Sequence, residues 1–157
     1  MTMRYRSVLL AAVVAAMVAP AAGAQSVDRY LSAGGTLSLR DGVGSAAVLA
    51  RGGIIGKVDH GRVRIRDLRG DDGTDINVWG EEWSREIDSR TTVYGGKDLR
   101  FRALGGAWRV RMKGRAIDAS AAGRGLVSLR GTDGTFAIDG DEYRDWPDEP
   151  SRFRFGD

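Results

Sequence analysis

Arginines set at every second position are the residues in this chain best suited to chemistry. They occur as Arg62, Arg64 and Arg66, as Arg100 and Arg102, as Arg109 and Arg111, and as Arg152 and Arg154. A guanidinium is a planar fork of donors that matches carboxylate, phosphate and sulfate oxygens in pairs. Ladders lying side by side would therefore hold an anionic cell-wall polymer or an acidic polysaccharide. The expected anion-binding set is Arg62, Arg64, Arg66, Arg100, Arg102, Arg109 and Arg111. The competing reading makes them solvent-facing rungs, balanced by Asp and Glu on adjacent strands.

Other reactive groups are sparse. His60, next to Asp59, is the only histidine, and there is no cysteine. A triad is a matter of geometry, and nothing in the spacing brings a hydroxyl to His60. One imidazole and no thiolate also leave no transition-metal set. Asp71, Asp72 and Asp75 offer oxygens to a hard cation. Asp139, Asp141 and Asp145 begin like an EF-hand loop, but Arg144 stands at the glycine position and Pro150 at the closing glutamate. Glu81, Glu82 and Glu86 would suit a glycosidase only if two of them met across a cleft. No catalytic residue, metal or cofactor is assigned on this basis, and a hydrolase is kept only as a distant alternative.

The elements that must position the arginines are strands. Period-two alternation runs through GTLSLR (35–40), AAVLAR (46–51), RVRIRDL (62–68), DINVW (75–79) and GLVSLR (125–130), the pattern of half-buried strands. In KDLRFRALGGAWRVRMKG (97–114), Gly105-Gly106 reads as a two-residue hairpin turn. That register would set Phe101 opposite Val110 and Leu99 opposite Met112. It would also set Arg102 against Arg109 and Arg100 against Arg111, a four-arginine patch of like charges. Glu81–Arg90 fits a second hairpin better than a helical turn. The final stretch is expected to anchor through Trp146 and end as an edge strand over Arg152–Phe155. About ten short strands with glycine-rich turns predict a single antiparallel barrel or sandwich. Similar glycine-led phrases recur at unequal spacings, so hairpin-built strands are expected rather than solenoid rungs.

Arg4 and Arg6, the apolar run Val8–Ala19 and the small residues Ala22-Gly23-Ala24 have the layout of a cleavable signal peptide over residues 1–24. The expected mature chain, 25–157, is one secreted or cell-envelope domain. Its acidic segment starts near Asp139, and it has no transmembrane span. Whole-chain charge is +3, and removing Arg4 and Arg6 leaves a single net positive charge. That argues against nucleic acid as a partner, as does the expected burial of Phe101 and Trp108 away from the arginine face. The acidic tail would neutralise the basic middle if the two packed together. The sequence leaves the oligomeric state open.

The segments GRVRIRDL, VWGEEWSREIDSRTTVYGGKDLRFRALG and WRVRMKGRAIDASAAGRGLVSLRG, in that order, resemble a group of small secreted bacterial β proteins of unknown function. The resemblance spans about Gly34–Phe136 and rests on alternation and glycines. It implies an exported all-β fold and brings no catalytic residues. Taken together, the expected function is a non-catalytic envelope module that binds anionic polymers. A structural or protein-interaction module using an exposed strand edge is the alternative.

Overall fold

A computed structural model describes residues 34–70 and 75–156. The proposed signal peptide, Asp71 and Asp72 lie outside the described residues. Within them the chain is all-β, without helix. The strands are β1 (Gly35–Asp67), β2 (Asp75–Trp79), β3 (Trp83–Asp88), β4 (Thr91–Ile138), β5 (Arg144–Asp145) and β6 (Ser151–Phe155). Every pairing is antiparallel, and the sheet does not close into a barrel.

Two of these strands are far too long to be straight. At about 3.3 Å per residue, the 33 residues of β1 would extend roughly 110 Å. The pairing shows where the length goes. Val48 in β1 pairs with both Val110 and Val127 of β4, and Val110 pairs with both Val48 and Ile65 of β1. Each strand thus returns beside itself after 17 residues, with the other strand between its own successive turns. The 91–138 and 35–67 arms form an antiparallel ribbon wound into a coil, one circuit taking roughly 56 Å of chain at that rise.

The coil has two walls. A line across the first wall runs Glu86, Thr92, Ile65, Val110, Val48, Val127, Phe153. A line across the second runs Asn77, Arg102, Ile55, Ser120, Ser38, Ala137. Alternate side chains of both walls point inward to a single core that includes Leu37, Val48, Val58, Leu99, Phe101, Trp108, Val110, Ile117 and Val127. Glycines occupy the corners between walls. One column is Gly96, Gly61, Gly114, Gly44 and Gly131, and a second is Gly106, Gly52, Gly123 and Gly35, each glycine paired with the next.

Two expectations are corrected here. Among the described residues the alternating segments run together into longer strands, two of them wound. The Gly105-Gly106 hairpin does not form. A type I′ turn needs positive φ at both central residues, and of the two only Gly105 has it (φ 75). The chain bends there and continues, so Phe101 pairs with Gly56 and Val110 with Val48 and Ile65. A bent strand and a hairpin share the same alternation, so the pattern could not separate them. His60 likewise lies within β1 rather than in a turn.

Other expectations agree with the fold. Trp83–Asp88 pairs back on Thr91–Gly95 as a hairpin. Arg152–Phe155 falls within edge strand β6, beside 125–129. Trp146 is buried, donating Nε1–H to the Thr135 carbonyl at 3.2 Å. Asp139 closes the end of the coil, its carboxylate accepting from the Thr36 amide at 2.8 Å and the Gly156 amide at 3.0 Å.

Gly123 shows what the corners demand. Its φ is 127, and an added Cβ would collide with the Arg51 carbonyl of the neighbouring strand. Gly140 has φ 83 but open space where a Cβ would go. Gly140→Ala should cost only conformational strain, roughly 1 kcal/mol. Gly123→Ala should cost that plus displacement of a ladder strand, and so lower the urea midpoint distinctly more. Equal midpoints for the two variants would refute the corner argument.

Candidate arginine wall

The winding sorts the arginine ladders by wall. Arg62, Arg64 and Arg66 lie directly opposite Lys113, Arg111 and Arg109, and all six point outward because Val63, Ile65, Val110 and Met112 fill the core between them. Strands sit about 4.8 Å apart, and successive outward residues about 6.6 Å along a strand, so the six cations form a compact two-by-three grid. Farther across the same outer surface come Arg51 paired with Arg124, Arg130 opposite Ser45, Arg152 opposite Ser128, and Arg154 opposite Leu126. Arg85, opposite Val93, adds a cation at the β3 edge.

Arg100 and Arg102 lie on the other wall, Arg100 beside Lys57 and Trp79, Arg102 beside Ile55 and Asn77. The four-arginine patch expected from a hairpin is therefore divided, and Arg109 and Arg111 face Arg66 and Arg64 instead. The two walls differ in their acids. On the second wall Arg102 Nη2 donates to Asp75 Oδ2 at 2.8 Å, and Lys57 Nζ lies 3.7 Å from Asp98 Oδ1. On the first wall, among the described residues, none of the cations named above forms an ion pair. Among the described residues the acidic tail makes no ion pair with them either. Asp139 instead holds backbone amides, and β5 pairs with Thr135 and Phe136 on the second wall.

Asp88 is the carboxylate at the rim of the grid. Its pKa is held below the usual carboxylate value first by the Arg90 backbone amide, at 2.9 Å, then by the nearby Thr91 hydroxyl. The fields of Arg66 and Arg64 add to this. The Thr91 Oγ1 lies near Asp88 yet meets no partner at hydrogen-bonding geometry. Thr91 is outward-facing by register with Arg66 but only 2% exposed. With Arg64, Arg66, Arg109 and Arg111 it lines a pocket of about 110 Å³. The alternation singled out the four arginines. Thr91 gave no signal, since the arginines that line the pocket with it are distant in sequence.

Among the described residues the remaining candidates assemble no site. His60 is exposed, its Nδ1 3.3 Å from Asp59 Oδ2, on a strand facing Lys97 and Arg115. Glu81, Glu82 and Glu86 are exposed on or beside edge strand β3. No group of three or more metal-ligating side chains occurs among the described residues, and no helix there is long and apolar enough to cross a membrane. In comparisons with known proteins, no family model, curated protein or solved structure matches this chain.

Like charges directly across a strand pair destabilise by roughly 0.2–1 kcal/mol each. Arg64→Glu, placed opposite Arg111, should therefore maintain or raise the melting temperature, and added salt should stabilise the wild type more than the variant. A large fall in melting temperature would contradict the unpaired grid. Asp88 has a lowered folded pKa, so its contribution is present above the ordinary carboxylate range and lost as pH falls through the lowered value. Asp88→Asn should be less stable than wild type at neutral pH, the gap closing in acid. Parallel stability curves for the two proteins would argue against it.

Proposed function

We propose that this chain is an exported, non-catalytic β module of the cell envelope that binds anionic polymers, a cell-wall polymer or acidic polysaccharide, through its first wall. One observation carries the reading: among the described residues a broad outer surface presents cations without an ion-paired carboxylate, while on the opposite wall Arg102 and Lys57 are paired with Asp75 and Asp98. A rigid sheet fixes the spacing of the guanidiniums, so little order need be lost when an extended anion lies across them. The array also steers anions by its summed field, a salt-sensitive effect.

The test compares the walls. The protein should be retained on heparin at low ionic strength and released by salt. Arg64→Glu with Arg111→Glu should elute at distinctly lower salt, whereas Arg100→Glu with Arg102→Glu, carrying the same charge change, should shift elution less. No retention at low salt, or equal shifts, would sink the proposal.

A second reading is favoured by the exposed edge. Among the described residues β2 and β3 pair on one side only, with β4, and Ile76, Trp79, Trp83 and Ile87 are large exposed apolar residues there, Trp79 at 51% and Trp83 at 50%. Open edges with apolar side chains recruit further strands. On this reading sedimentation shows self-association that is indifferent to salt and abolished by Ile76→Lys. A monomer at all concentrations would rule it out.

A further inference from the structure

We propose that Arg64, Arg66, Arg109, Arg111 and Thr91 form a seat for a single tetrahedral oxyanion, a sulfate or phosphate group. The inference rests on the anion-binding reading of the first wall and names the chemistry of one site within it.

Four arginines from two adjacent strands line one small pocket of about 110 Å³. That is several times the roughly 30 Å³ share of one water in the liquid, and of the order a small oxyanion needs. Arg64 sits directly opposite Arg111 and Arg66 directly opposite Arg109, so both strands contribute arginines. None of the four is ion-paired among the described residues.

The second observation is independent of charge. Thr91 is 2% exposed and lines the same pocket, and its hydroxyl, although close enough to Asp88 to help lower that carboxyl's pKa, meets no partner at hydrogen-bonding geometry. A buried, unsatisfied polar atom is unfavourable and calls for a partner. A hydroxyl in a pocket lined by four arginines has its natural partner in an anion's oxygen, to which it donates. The arginine side chains that line the pocket with it are surface groups with free rotamers, and reorganise on the picosecond-to-nanosecond scale.

Charge-assisted forks recognise carboxylates as well as phosphate, so the discrimination comes from shape. A carboxylate is planar, with two oxygens on one side. A tetrahedral group sends oxygens in three or four directions, toward both arginine strands and down to Thr91 together. Asp88 at the rim competes for Arg64 and Arg66, whose fields reach it.

The experiment uses the full chain and titrates inorganic sulfate, then phosphate, against chloride of matched ionic strength by calorimetry. Saturable binding near one equivalent is expected. Thr91→Val should weaken it roughly tenfold, the scale of a hydrogen bond to a charged group, Thr91→Ser should retain it, and Asp88→Asn should tighten it. Binding no stronger than chloride, or unchanged in Thr91→Val, overturns the seat. Heparin retention measured on the same samples separates the two levels: retained heparin with no sulfate site leaves the wall reading intact, and loss of both removes it as well. Free sulfate that displaces heparin from wild type, but not from Thr91→Val, identifies the ligand as an ester group on a polymer. Sulfate that binds without displacing heparin identifies it as the free anion.

Discussion

The close approach of backbones at the two glycine columns is the constraint on which the molecule depends. A ribbon of β1 and β4 coils only if each strand bends sharply between walls, and at each bend a neighbouring carbonyl occupies the space where a side chain would begin. Gly44, Gly61, Gly114 and Gly123 each have a carbonyl oxygen from the adjacent strand in that space. Glycine alone keeps the ladder hydrogen bonds while passing so close. The columns align because glycines recur 17 residues apart, Gly44 with Gly61 and Gly114 with Gly131, matching the length of a circuit.

Coiling makes one core from two arms that would otherwise be a long exposed hairpin. A two-stranded ribbon alone is marginal in water. Wound on itself, it buries Leu37, Val48, Val110, Trp108 and Val127 among one another from turns far apart in sequence. No disulfide assists, since the chain has no cysteine. The ends need separate closure. The Asp139 carboxylate, Trp146 over Gly42 and Gly131, and β6 close one end, while at the other, among the described residues, β2 and β3 pair only with β4.

The same winding separates charge. Outward positions on the first wall carry arginine on turn after turn, while Asp75 and Asp98 pair with cations of the second wall and Asp88 and Asp139 hold backbone amides. Each like-charged pair costs less than a core residue contributes, so packing tolerates an array that electrostatics alone would disperse. The consequence is a surface on which arginines face one another across strands without an ion-paired carboxylate among the described residues. Thr91 belongs to this arrangement, lining a pocket with arginines from β1 and from a later turn of β4.

Alternation and turn chemistry by themselves determined that the chain is all-β and which residues face inward, and they favoured a hairpin over a helical turn for Glu81–Arg90 and an edge strand over Arg152–Phe155. Those properties follow from side-chain period and local turn chemistry, which are written over a few residues. The tertiary structure alone decided which strands are neighbours. Leu99–Met112 reads equally well as a hairpin or as one bent strand, because both turn Phe101 and Trp108 inward. The choice came from pairing with residues 48–66 across the coil, and it moved Arg109 and Arg111 away from Arg102 and Arg100 to Arg66 and Arg64. Periodicity says which side of a sheet a residue occupies. Only the long-range register of the wound ribbon says what lies beside it, and the arginine wall, its missing counter-charges and the buried Thr91 hydroxyl are all matters of what lies beside what.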